Sequence, residues 1–85
     1  YTGDHIFDYI EIDDRHAIFE VEVPTGWVGK SIGELDIRRK FGINILGIKH
    51  SGKTDVSITP DTLLSKETTI LALGEYKALQ KCFRI

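Results

Sequence analysis

Ser31-Ile32-Gly33-Glu34-Leu35-Asp36-Ile37-Arg38-Arg39-Lys40-Phe41-Gly42-Ile43-Asn44-Ile45-Leu46-Gly47-Ile48 carries in one run a helix, its stop and a strand. Ser31 stands three residues before Glu34, the spacing of a capping box in which each side chain satisfies the other's backbone N–H. Gly42 occupies the place where helices commonly end, because glycine accepts the left-handed backbone there. The spacing predicts a helix over Ile32–Phe41 with Ile32, Leu35 and part of Phe41 inward. Ile37, two positions past Leu35 and therefore about 200° around the axis, is expected on the outer face between Asp36 and Arg38. Ile43, Ile45, Leu46 and Ile48 follow as an apolar, β-branched run that reads as a strand.

Outward from this run the chain continues in short alternating elements. Before it, Phe19, Val21 and Val23 alternate with Glu20 and Glu22, the period of a half-buried strand over about Ala17 to Val23, closed by Pro24. Residues 1–15 are polar, with Asp4, Asp8, Asp13 and Asp14 around Phe7, Tyr9, Ile10 and Ile12. They read as a lead-in segment, disordered at its start and extended at its end, before a domain over residues 16–85. After the run, a polar stretch His50 to Asp55 and then Val56 to Ile58 predict a hairpin. Pro60 and Asp61 open a turn. Ile70 to Leu73 form a buried strand ended by Gly74, and Tyr76, Leu79 and Phe83 make one stripe of a last helix, with Cys82 beside it. The fold class is α+β: a small β-α-β-β-β-α domain with a mostly antiparallel sheet.

The 85 residues hold 41% hydrophobic and 28% charged side chains with a formal net charge of -2, enough for one small core. The lone Cys82 excludes an internal disulfide framework and a cysteine zinc site. The slightly acidic balance argues against a nucleic-acid backbone binder, which would be basic. No apolar run reaches the roughly 20 residues that span a bilayer. The composition fits a soluble, intracellular domain. The absence of methionine, even at Tyr1, marks a piece of a longer protein.

Gly47-Ile48-Lys49-His50-Ser51-Gly52-Lys53-Thr54 matches the P-loop pattern. A phosphate loop needs a helix after it, whose terminal N–H groups surround the phosphates. Asp55-Val56-Ser57-Ile58-Thr59-Pro60 instead alternates like a strand, so the match is read as a hairpin turn. His5, His16 and His50 lie at ends or turns without the spacing of a helical metal pair. Cys82 lies beside core positions and reads as a packed, unreactive thiol. Asp13-Asp14 and Glu20/Glu22 read as solvated surface. No catalytic constellation or metal site results, and the chain is not read as an enzyme. An outward Ile37, and a sheet with helices enough for one face only, call for a partner, most simply a second copy across a twofold axis.

The string Trp27 to Ile48, with its Gly-Lys-Ser, Leu-Asp-Ile-Arg and Phe-Gly-Ile-Asn features, Ser57-Ile58-Thr59-Pro60 and the Ile70-Leu71-Ala72-Leu73-Gly74 strand resemble the TrkA C-terminal domain, also called the RCK C-terminal domain. The likeness runs from about Tyr9 to Phe83 and is strongest to regulatory subunits of Ktr-type bacterial potassium uptake systems. It implies a homodimer through this domain and, through the full-length protein, an integral-membrane potassium transporter as partner. The place implied is cytoplasmic, held peripherally at the membrane's inner face by that transporter; the absence of nucleic acid as a partner rests on the charge balance alone. It also implies cyclic di-AMP as ligand at the dimer interface, lowering potassium uptake. Carried over by position, Ile32 and Ile37 give apolar contact with adenine, Asp36 polar contact with the base, Arg38 contact with phosphate and Pro60 an apolar wall. Asn44 stands where binders often have histidine; it can donate a hydrogen bond but cannot become cationic. Two alternatives accompany this reading: a dimerisation module without a small ligand, and the regulatory domain of another cation transporter or antiporter.

Overall fold

The computed structural model describes residues 6–83. The expected disordered start of the lead-in and His5 lie outside them. Strands β1 (Ile6–Glu11), β2 (His16–Glu22), β3 (Asn44–His50), β4 (Lys53–Asp55) and β5 (Thr69–Glu75) form one sheet in the order β1-β2-β5-β3-β4. All four pairings are antiparallel. A short 3-10 turn (Thr25–Trp27), helices α1 (Ile32–Leu35) and α2 (Ile37–Phe41), and a final helix α3 (Tyr76–Phe83) complete the fold.

Alternation puts Ala17, Phe19 and Val21 of β2 opposite Gly74, Ala72 and Ile70 of β5 on one face, all buried. Ile37, Ile43, Leu64, Leu79 and Phe83 close over them from the helices and loops. The other face is open. Ile18, Leu71 and Leu73 are half-buried there and Ile10 is 60% exposed. Helices thus cover one side only, as the length of the chain implied.

Three expectations are corrected. The lead-in ends in a full edge strand, not a short extended piece: β1 runs along β2, and Tyr9 packs edge-on against Phe19, which packs in the same way against Tyr76. Asp13 holds the turn between them, accepting from the N–H groups of Arg15 and His16 at 2.8 Å and facing His16 Nδ1 at 2.9 Å. These bonds, the Arg15 N–H first, lower its carboxyl below its ordinary range.

The second strand of the hairpin lies earlier than Val56 to Ile58. Ser51 and Gly52 both adopt positive φ (52° and 78°), the two-residue turn whose twist suits a hairpin. His50 therefore pairs with Lys53. Asp55 ends the strand by accepting the Ser57 N–H at 2.9 Å, which turns the chain away and leaves Val56 69% exposed. The P-loop match falls on this hairpin, with Lys53 and Thr54 inside β4 and an irregular stretch after it.

The helix expected over Ile32–Phe41 is broken at Asp36, which sits in the left-handed region (φ 54°, ψ 40°) between α1 and α2. Helical counting therefore restarts at Ile37, and the expected outward Ile37 is instead buried at 4% exposure.

Candidate functional site

The capping box forms as expected: Ser31 Oγ accepts the Glu34 N–H at 3.1 Å, and Glu34 Oε1 accepts the Ser31 N–H at 3.3 Å. It starts α1 at a fixed point. After one turn Asp36 ends α1, its N–H donating to the Ile32 carbonyl at 3.2 Å while its own carbonyl accepts the Lys40 N–H at 3.0 Å. Aspartate tolerates the left-handed backbone better than a branched residue would. α2 then ends at Gly42, whose φ of 73° and N–H bond to the Arg38 carbonyl close it. The corner at Asp36 carries Ile37 under the helices and leaves Arg38 on the surface.

The strap from Ile58 to Leu64 is laced onto the start of α1. Gly33 N–H donates to the Pro60 carbonyl at 2.8 Å and Ile32 N–H to the Thr62 carbonyl at 3.0 Å. Ser31 also bridges Leu63, and Leu64 N–H bonds the Lys30 carbonyl at 2.9 Å.

Between corner, strap and the start of β3 lies an open cleft of about 290 Å³. Ile32, Asp36, Ile37, Arg38, Asn44 and Pro60, the residues the sequence singled out, all line it. Ile37 is wall and core at once. Asp36 is half-buried, its Oδ2 3.9 Å from Arg39 Nη1. Arg38 is exposed and, among the described residues, in no ion pair. Asn44 reaches the cleft at its rim: it pairs with Leu73, so alternation directs its side chain to the open sheet face. Sequence reasoning missed Gly33, Ile43, Ile45, Ile58 and Thr59, which complete the lining. The alternation of Ile43 with Ile45 was a usable sign of one shared face; nothing in the sequence showed that Ile58 and Thr59 fold back onto α1.

Electrostatically the cleft combines apolar walls with the Asp36 carboxylate and the exposed Arg38 guanidinium. Such a set suits a ligand with a flat apolar ring, amine hydrogens to donate and an anionic group, because guanidinium can pair two phosphate oxygens at once. The remaining reactive groups lie elsewhere. Burial pushes the Cys82 thiol up to about 11. Glu20, expected to be fully solvated, is instead held on the open face by Thr69 Oγ1, which donates to it at 3.2 Å, and Lys49 Nζ at 3.7 Å.

Fold and cleft together define a small α+β domain with an open cleft beside its capped helix, and the chain belongs to the TrkA-C domain family, whose model matches residues 16–85. The chain is 28% identical over 80 residues to Ktr system potassium uptake protein A of Bacillus subtilis (strain 168), covering 94% of this chain and 36% of that one. It thus spans about a third of that relative's length. Among solved structures, the Regulator of Conductance of K+ (RCK) C domain of potassium transport protein KtrA, in complex with cyclic di-AMP, superposes with a TM-score of 0.76 at 30% identity, covering 81% of each chain. The RCK_C domain dimer of S. agalactiae BusR in complex with cyclic di-AMP gives a TM-score of 0.65 at 28% identity, over 79% of this chain and 95% of that one.

Proposed function

We propose that this domain is the ligand-sensing part of a potassium transport regulator, and that two copies bind one cyclic di-AMP between their Ile32–Pro60 clefts. The observation that carries the reading is the cleft itself: residues from three separate parts of the chain converge on one space with the exposed Arg38 at its edge. Its volume, about 290 Å³, lies at the floor of the range for small-molecule pockets, roughly 300–1,000 Å³. That room suits one half of a symmetric dinucleotide, so a complete site calls for two clefts facing across a twofold axis. The fold-level likeness to a KtrA domain and to a BusR domain dimer, both solved with cyclic di-AMP, supports the choice of ligand.

In this reading Ile32, Ile37 and Pro60 clasp an adenine, Asp36 accepts its amine hydrogens, and the two Arg38 guanidinium groups meet the phosphates. Asn44 serves the rim through its backbone. The ligand acts by bridging the two copies, and the rest of the longer protein transmits the change to a membrane transporter, lowering potassium uptake. The reaction is binding only; no bond of the ligand is made or broken.

Calorimetric titration with cyclic di-AMP tests this. Removing a charge-assisted phosphate contact in Arg38→Ala is expected to weaken binding at least tenfold, about 1.4 kcal/mol or more. Because Arg38 is exposed, the melting temperature should stay close to that of the wild type. Equal affinity in the variant, or no heat with the wild type, would remove the ligand assignment.

A further inference from the structure

Gly33 sits inside α1 with no positive φ to justify it; Gly42, by contrast, has a φ of 73° and open space where a Cβ would stand. In a helix glycine is disfavoured against alanine by up to about 1 kcal/mol. Its presence is explained by what lies opposite. A Cβ on Gly33 would stand 2.9 Å from Pro60 Cβ, 3.0 Å from the Pro60 carbonyl oxygen and 3.4 Å from Pro60 Cα. Two of those three atoms are backbone, so a rotamer change cannot relieve the clash. That carbonyl is also the one that accepts the Gly33 N–H at 2.8 Å.

We propose that Gly33 is a positioning residue that sets the width of the ligand cleft, by holding the Thr59–Pro60 wall in backbone contact with α1. The proposal rests on the ligand reading given above for that cleft. The wall is stiff in itself: Thr59 N–H bonds Thr62 Oγ1 at 2.9 Å, Asp61 N–H bonds Thr59 Oγ1 at 3.2 Å, and Thr62 N–H bonds the Thr59 carbonyl at 3.0 Å. Further along, the Ile32 N–H bond to Thr62 and the Lys30–Leu64 bond anchor the strap to the same helix start. A side chain at position 33 therefore moves the wall as a unit, pivoting on those anchors. Pro60 leaves the adenine position while Asp36 and Arg38, carried by the corner between α1 and α2, stay where they are.

The experiment measures cyclic di-AMP affinity by calorimetry and backbone amide resonances by NMR on the full chain, for wild type, Gly33→Ala and Gly26→Ala. Gly26 has no positive φ and nothing within 4 Å of a Cβ, and serves as the control. The expected result for Gly33→Ala is a loss of affinity of tenfold or more. Its melting temperature should lie within a few degrees of the wild type, and its amide resonances should shift at residues 58, 59, 61 and 62. Gly26→Ala should bind as the wild type does. In a Pro60→Gly background, where the nearest clashing atom is gone, the same substitution at position 33 should cost less than in the wild type, a coupling that a general loss of stability would not produce. Wild-type affinity in Gly33→Ala overturns the proposal, as do unmoved resonances in the strap. If the wild type takes up no cyclic di-AMP, the ligand reading fails, and the strap resonances alone decide whether Gly33 fixes the wall. If Gly33→Ala does not fold while Gly26→Ala does, the contact with the Pro60 backbone, which Pro60→Gly leaves in place, is supported; loss of folding in both variants overturns it.

Discussion

Ile37 shows how one backbone angle reassigns a side chain. Counted along an unbroken helix it faces away from Leu35; with Asp36 at φ 54° it turns under the corner, 4% exposed, between the cleft and the groove that holds Trp27, Leu35 and Phe41. Truncating it removes core contacts, so Ile37→Ala should cost about 2–5 kcal/mol in chemical denaturation. A surface isoleucine would shift stability by no more than roughly 0.5 kcal/mol, and a result in that range would contradict the burial. The sequence contained no mark of the break beyond an aspartate, a residue that tolerates the left-handed region without demanding it. Cys82 was legible from its place beside the Leu79–Phe83 stripe, and its half-buried setting raises the thiol from 9.0 to about 11. At pH 8 only about a thousandth of it is thiolate, the reactive form. Its reaction with a disulfide reagent should therefore speed up about tenfold or more on unfolding in urea, the gain in thiolate being partly offset by the weaker nucleophilicity of a more acidic thiol; equal rates in the folded and unfolded protein would show an accessible thiol.

At the scale of elements, the strongly alternating strands and the amphipathic last helix were readable because their periodicity is intrinsic to the residues. Edges were harder. β1 carries acids among its apolar residues and looks like a polar lead-in until β2 is placed beside it. Its stability comes from the ladder to Ala17–Val21 and from the Tyr9–Phe19 contact, both long-range facts. β4 was misplaced by a few residues because the Ser51-Gly52 turn is tighter than the polar stretch suggested, and because Asp55 stops the strand with its own side chain. A chain beginning at Asp13 loses the edge strand and opens the outer edge of β2, which stays paired with β5 on its other side, although the family match begins only at residue 16. Its melting temperature should fall by at least roughly 5–10 °C, since each kcal/mol is worth about 4–8 °C in a domain of this size. The open edge should also promote association. An unchanged melting curve would mean that β1 adds nothing to the sheet.

For the whole molecule, the decisive feature is asymmetry. One sheet face carries the core and the helices, while the other shows Ile10, Ile18, Leu71 and Leu73 to solvent. That two short helices leave one sheet face open was legible from length; the outward Ile37 read beside it as a call for a partner is instead buried. The cleft was legible only in part. Resemblance marked Ile32, Asp36, Ile37, Arg38, Asn44 and Pro60, and the fold gathers them. The glycine that lets the strap approach α1 could be recognised only once Pro60 stood opposite it. The most direct test of the central claim is the stoichiometry of cyclic di-AMP on the purified chain, by titration calorimetry combined with sedimentation. The expected result is one ligand for every two chains, bound by a dimer. One ligand for each chain, or a monomer that binds nothing at saturating ligand, would contradict it.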